Sequence, residues 1–286
     1  MIRGRPVSAL LALTLLGSTP AARSQLGPPR VPALLPGVGS LLWIAAHPDD
    51  ELLAAPLLAR LCLEEGRRCS FLVLTRGGRG RCLLPGGCAP TLTAVRSAEM
   101  RRAARLFGAS LTLWDLPDGG AAADGSASAW DAAAGGRAAL LARLATFVLA
   151  TAPDLVLAFD PRHGSTCHAD HRAAGQLVVE ALDTLPQRPL LYLLETRLLV
   201  NESPGSVHLR PAAPAAAGVF AFDANAVLGS TGRSAWQMLL DDLRLHRSQY
   251  DSQWLRALQA VPPRQRAVWL GPAAALLASD AVPSCP

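Results

Sequence analysis

The sequence predicts an α/β protein of Rossmann-like architecture, a mostly parallel sheet with helices on both faces. It predicts a single domain with a small C-terminal strand-and-helix addition. Three observations carry this. Strand-length apolar runs recur at Leu41–Ala46, Phe71–Thr75, Leu111–Leu116, Leu155–Phe159 and Leu190–Leu194. Longer helical segments separate them, at Leu52–Glu65, Ala94–Phe107, Gly136–Thr151 and His171–Thr184. The runs are apolar throughout rather than alternating, as strands buried on both faces of a parallel sheet must be. Right-handed crossovers then gather the carboxyl ends of the strands on one edge, where such sheets present reactive groups.

Taken in order, the chain begins with Arg3 and Arg5, an apolar stretch from Val7 to Gly17, and small or polar residues up to Ser24. That is the order of a secretory signal over residues 1–24, with Ala22-Arg23-Ser24 as the cleavage site. An uncleaved anchor is the alternative, but the stretch is short against the roughly 20 residues of a membrane span. No later segment is apolar for long enough, so no span is expected in the mature chain. The expected location is the secretory pathway: secreted, periplasmic or ER-lumenal. Residues 25–39 form a Pro/Gly-rich lead-in, and 40–286 form the domain.

The formal charge of +5 is partly disposable. Losing Arg3, Arg5 and Arg23 with the signal leaves 24 basic against 22 acidic groups, and the remaining arginines are scattered. No nucleic-acid partner is expected. The 6 cysteines are an even number, which export permits to pair. The simplest of about 15 pairings joins Cys62 to Cys69, Cys82 to Cys88 and Cys167 to Cys285. Further along, Asp118–Gly136 reads as a mobile loop and Pro204–Gly218 as a connection. Val219–Phe222 and Ala235–Arg247 read as the added strand and helix. Asn201-Glu202-Ser203 matches a glycosylation acceptor.

Chemistry concentrates at two strand ends. His47-Pro48-Asp49-Asp50-Glu51 follows the first strand, and His163-Gly164-Ser165-Thr166-Cys167-His168-Ala169-Asp170-His171 follows the fourth. His and Asp three apart can close on one metal ion, which leaves Asp49 between them to move a proton. The second cluster holds three of the 6 histidines. A catalytic zinc takes three ligands from His and carboxylate and keeps a fourth position open. Plainer readings exist: the carboxylates at 49–51 cap a helix, and a lone histidine is more often a satisfied core residue. Capping explains neither His47 nor the distant His-x-Asp-His.

His-Pro-Asp-Asp-Glu at 47–51 with His-Ala-Asp-His at 168–171 resembles the LmbE/PIG-L family of zinc-dependent N-acetylglucosaminyl deacetylases. Arg96-Ser97-Ala98-Glu99, Leu116-Pro117-Asp118-Gly119 and His246-Arg247-Ser248-Gln249 are similar to further family segments, in the same order. The resemblance implies metal ligation by His47, Asp50 and His171, by zinc, with ferrous iron the alternative. It implies Asp49 as general base and His168 as oxyanion stabiliser or acid to the leaving amine. Asp170 would orient a histidine, and Arg96 and Asp118 would contact sugar hydroxyls. The expected substrate is a small sugar or glycoconjugate carrying an N-acetyl group; the oligomeric state is left open. Arg96 with Glu99 also reads as an exposed helix pair, Asp118 as a turn residue, and His246 as a helix-end charge. Glu51 gains no role beyond the helix start. Gly78 and Thr166 depart from the family, which often has an acidic residue at the first place and in some members a Tyr at the second.

Two other activities compete. One is an amidase acting on another N-acyl group; the other is a non-catalytic carbohydrate-binding protein on the same fold. A nucleotide-binding protein is disfavoured, because the turn after the first strand lacks G-x-G-x-x-G and its carboxylates would repel phosphate.

Overall fold

Strand β1 (Ser40–Ala45) is buried along its whole length, and its two neighbours decide where the site lies. In the computed structural model, β2 (Arg68–Thr75) pairs with it in parallel on one side, and β3 (Ser110–Leu116) lies beyond. On the other side β4 (Leu155–Phe159) and then β5 (Leu190–Leu194) continue the parallel sheet. The order β3-β2-β1-β4-β5 reverses direction between β1 and β4. Connections leave to opposite faces at that point and open a crevice at the strand ends, the topological switch point of such sheets. The structure describes residues 35–122, 127–200, 207–211, 219–278 and 285, with backbone alone at 197–200 and 207–211.

Period-two alternation explains why the strands are apolar throughout. Leu41, Trp43 and Ala45 of β1 enter one core with Phe71, Phe159 and Phe107. Leu42, Ile44 and Ala46 enter the other with Leu72, Val156 and Trp130. Fully burying each Leu- or Phe-sized side chain contributes about 1.5–3 kcal/mol, so both faces need cover. The first face is covered by α1 (Ala55–Leu58) and α2 (Leu92–Leu106), with help from the C-terminal part. The second is covered by α3 (Ser128–Ala134), α4 (Arg137–Thr151) and α5 (Ala169–Asp183).

The structure differs from the expected elements in three places. The helix expected over Leu52–Glu65 is a 3-10 turn (Asp50–Leu53), then α1, then a wide π-type turn (Ala59–Glu64). Pro56 lacks an N–H and its ring would strike the carbonyl four residues back, so no continuous helix passes through it. The stretch 118–136 contains α3, pinned by Trp130, whose side chain is wholly buried and whose indole N–H donates to Pro117 O at 2.8 Å. An Ala/Gly/Ser composition hides such a single aromatic anchor.

The third difference is in the C-terminal part. After a hairpin of β6 (Thr196–Val200) and β7 (Val207–Pro211), the expected strand forms as β8 (Phe220–Asp223). Next come the short pair β9 (Val227–Leu228) and β10 (Arg233–Ser234), then α6 (Ala235–Leu243) and α7 (Ser252–Ala260). β11 (Ala267–Pro272), unforeseen because Gly271 and Pro272 interrupt its apolar run, inserts between β5 and β8 and runs antiparallel to both. A short α8 (Ala273–Leu277) follows. The sheet is therefore seven-stranded, in the order β3-β2-β1-β4-β5-β11-β8. Residues 34–286 form one compact unit. All three expected disulfides form: Cys62–Cys69, Cys82–Cys88 and Cys167–Cys285. The signal segment, most of the lead-in, and the Asn201-Glu202-Ser203 acceptor lie outside the described residues. Among the described residues no single helix is long and apolar enough to cross a membrane.

Candidate active site

The switch point brings the two polar clusters together. The Asp50 carboxylate is divided between two tasks. Its Oδ2 accepts the backbone N–H groups of Ala46 and His47 at 2.9 and 2.8 Å, which locks the turn after β1. Its Oδ1 lies 2.9 Å from His171 Nε2 and 3.6 Å from His47 Nδ1.

The hydrogen bonds at the far side of each ring decide which nitrogen faces Asp50. His171 Nδ1 lies 2.9 Å from Gly164 O and carries a proton there, which leaves Nε2 as the ring atom turned to Asp50. Phe159 stacks on the His171 ring at a 4.4 Å centroid distance and fixes its plane. His47 Nε2 lies 3.0 Å from Asp170 Oδ2 and 3.2 Å from Asp118 Oδ1, so Nε2 carries a proton and Nδ1 is the ring atom turned to Asp50. Two imidazole nitrogens and one carboxylate oxygen thus face one another, a set that fits zinc or ferrous iron once the protons shared between them leave. Ring nitrogens of His47, His168 and His171 also lie within 4.8 Å of one another. His168 fits ligation less well, because its Nδ1 accepts the Asp170 N–H at 3.2 Å and its neutral ring therefore presents Nε2–H.

Asp170 holds more than a histidine. Its two oxygens also accept the N–H groups of Gly119 and Ala121, at 2.7 and 2.8 Å, and so dock the Pro117–Gly120 turn against His47. Asp118, expected as a substrate contact, shares His47 with Asp170. Burial opposes its charge, but the hydrogen bond to His47 and the Arg79 N–H bring its carboxyl down to about 2. It still lines the open cavity.

Asp49 sits at φ 113°, a left-handed conformation that costs about 1–3 kcal/mol unless its surroundings enforce it. Three groups do so. Glu51 Oε2 accepts the Asp49 N–H at 3.1 Å. The Arg96 guanidinium donates to Pro48 O at 2.6 Å, to Asp49 Oδ1 at 2.8 Å and to Gly77 O at 2.9 Å. Arg96 is therefore a buried clamp on Asp49 rather than part of the exposed pair expected, and it also lines the open cavity. Gly77 has to be glycine for this, since its φ is +64° and a Cβ would come within 2.2 Å of Arg96 Nη1. Glu99, also buried, accepts from Ser248 N at 2.9 Å and Ser248 Oγ at 2.6 Å, tying α2 to the segment after α6.

Glu51, expected only as a helix start, and His246, expected as a helix-end charge, form a wholly buried pair with Nε2···Oε1 at 2.5 Å. Burial opposes charge on His246, yet Glu51 and Asp242 raise its pKa to about 9. The signal was available: His246 belongs to the His-x-Ser-Gln segment, but spacing does not say what it touches. Tyr250, three residues into the next turn, lines the site beside Asp49 and Asp50 and was likewise missed.

The charges divide by role. Burial resists charge on Asp50, and is outweighed by His171 and His47, which hold its carboxyl well below the usual range. Asp49 moves the other way: burial raises it, Arg96 opposes, and Asp50 adds to the rise. His168, exposed at the rim, is lowered by partial desolvation and by His171 and His47, which favours a neutral ring. His163 does not join the site. It is buried, its Nδ1 accepts the Ser165 N–H at 3.0 Å, and its Nε2 faces Glu195 at 3.5 Å.

Residues 42–182 match the PIG-L family, described as GlcNAc-PI de-N-acetylase. Similar folds are found in N,N'-diacetylchitobiose deacetylase from Pyrococcus horikoshii, at TM-score 0.57 and 17% identity, covering 82% of this chain and 85% of that one. The 4-carboxy-2-hydroxymuconate hydratase GalB of Pseudomonas putida KT2440 superposes at TM-score 0.55 and 19% identity, covering 82% and 95%. The A40926 pseudoaglycone deacetylase Dbv21 does so at 0.54 and 17%, covering 82% and 96%. No curated protein matches the sequence. A hydratase on the same fold means that activity has to be argued from the site.

Proposed function

Because this chain belongs to the PIG-L family, we propose that it is a metal-dependent amide hydrolase that removes the N-acetyl group from an N-acetylglucosamine-type sugar or glycoconjugate. The observation that carries this reading is the convergence of His47 Nδ1 and His171 Nε2 on Asp50 Oδ1, with Asp49 alongside in an enforced conformation. His47, Asp50 and His171 would hold the ion. When bound, a zinc-class ion supplies Lewis acidity and lets water act as a nucleophile near neutral pH.

The protein's own groups do the rest. Asp49, raised by burial and aimed by Arg96, takes the proton from the attacking water. His168 presents Nε2–H toward the developing oxyanion, the role its occupied Nδ1 favours. Asp170 and Asp118 keep His47 in the tautomer that offers Nδ1. The open cavity lined by Arg79, Asp118 and Gln249 suits a polyhydroxylated ring. We also propose export through residues 1–24, which the three disulfides support; N-terminal sequencing of the secreted protein tests it.

The test is metal analysis of purified protein with amine detection on N-acetylglucosamine, N-acetylchitooligosaccharides and an N-acetylglucosaminyl glycolipid. About one ion per chain is expected, and Asp49→Asn should lower turnover on the order of 10²–10⁴-fold while keeping the ion. Metal-free active protein, or an unimpaired Asp49→Asn variant, overturns the reading.

A further inference from the structure

Two cavities of opposite character meet at Asp49, Asp50, His171 and Tyr250, which line both. One is open and polar, about 300 Å³, with His47, Arg79, His168 and Gln249 on its walls. The other is more enclosed, about 100 Å³, and runs from the same four residues back among Trp236, Leu239, Leu243, Trp254, Leu258 and Val268. Beyond the shared residues its side-chain polar groups are two hydroxyls, both already engaged, and the indole N–H groups of Trp236 and Trp254, the first of them buried without a partner. Thr166 Oγ1 lies 3.0 Å from His171 Nδ1, and Thr196 Oγ1 accepts the Trp269 N–H at 2.9 Å. A sugar placed there would lose its hydrogen bonds to water and gain few in return.

An amide has two sides, and the reacting carbonyl must lie at the residues the cavities share. The polyhydroxylated amine side matches the open cavity, which leaves the enclosed one for the acyl side. An acetyl methyl is far too small for it: a water-sized group needs roughly 10–15 Å³ of such space, a small part of the 100 Å³ present. We propose that the enclosed cavity is an acyl-chain subsite and that the preferred substrates are amino sugars N-acylated with chains longer than acetyl, about four to eight carbons. This rests on the amide-hydrolase reading and sharpens its substrate class. The step is plain hydrolysis: water's oxygen bonds to the acyl carbon, the C–N bond breaks, and both water protons end on the nitrogen. Carboxylate and ammonium leave, with no oxidant or reductant.

The experiment measures kcat/KM for amine release from N-acetyl-, N-butanoyl-, N-hexanoyl- and N-octanoylglucosamine, and calorimetric binding of acetate, butanoate and hexanoate, all on the metal-loaded protein. Each methylene is expected to raise kcat/KM up to about fourfold until the cavity fills, equivalent to ~0.8 kcal/mol. Hexanoate should bind at least about tenfold more tightly than acetate by the same rule. Leu258→Trp, and separately Leu239→Phe, should cut the hexanoyl-to-acetyl ratio about tenfold, a ratio that loss of folded protein cannot change. Acetyl hydrolysis with rates falling along the series, or a ratio unmoved by both variants, overturns the subsite and leaves the hydrolase intact. Amine release from no member of the series overturns the hydrolase instead, and the carboxylate affinities then decide the cavity: hexanoate no tighter than acetate refutes it.

Discussion

Glu51→Gln tests whether the buried Glu51–His246 pair supports the site from behind. The substitution keeps the shape and removes the charge that faces His246 Nε2 at 2.5 Å. His246 has a pKa raised from 6.5 to about 9 in the folded protein. A raised folded pKa means that the folded state binds the proton more tightly. The resulting stability is complete below pH 6.5 and is lost as pH rises through about 9. At ~1.4 kcal/mol per pKa unit, the net shift of His246, burial set against Glu51, Asp242 and Asp49 together, is worth about 3 kcal/mol at full strength. Removing one partner of a buried pair costs a similar amount, about 3–5 kcal/mol. Asp242, whose carboxyl is pushed well up by burial, then by Glu51, loses stability in the same direction with rising pH. The comparison with the variant is what isolates the pair. The assay is urea unfolding of metal-free protein at intervals from pH 6 to 9.5, followed by tryptophan fluorescence. The wild type should lose about 3 kcal/mol across that range; Glu51→Gln should start lower by a similar amount and change little. Equal pH slopes for the two proteins would refute the linkage, as would a variant of wild-type stability at pH 6.

Two further outcomes follow from the geometry. Asp170→Asn removes the carboxylate that fixes the His47 tautomer and docks the Pro117–Gly120 turn; metal affinity measured by competition with a chelator should fall about 10–100-fold, and an unchanged affinity would remove Asp170 from the site. Gly164→Ala places a Cβ 2.6 Å from His171 Cβ at φ +50°; we expect a destabilisation of about 1–3 kcal/mol by urea unfolding together with weakened metal binding, whereas loss of neither would show that the loop yields freely.

The sequence specified the layers because burial on both faces leaves an unmistakable mark: uninterrupted apolar strands with helices between them. It also singled out side chains that meet in space, since His47, Asp50 and His171 have few other reasons to cluster at two strand ends. What it left open were partners of residues far apart in the chain. Glu51 read as a helix start, yet it meets His246 across 195 positions. Arg96 with Glu99 read as an exposed helix pair, yet Arg96 is buried and its guanidinium clamps Asp49 across 47 positions. β11 was hidden by a Gly and a Pro in a strand that needs pairing on both sides to form at all.

The order of the sheet supplies the physical reason. Local sequence encodes propensity and periodicity, and these marked the parallel strands, most of the helices and the polar side chains that gather at the strand ends. Which lone pair faces which carboxylate is a matter of angles and ångströms, set where β1 and β4 diverge and where α2 and the segment after α6 pack behind the turn. That placement depends on contacts between distant segments, so only the tertiary structure could turn two polar strand ends into one site with a polar and an apolar side.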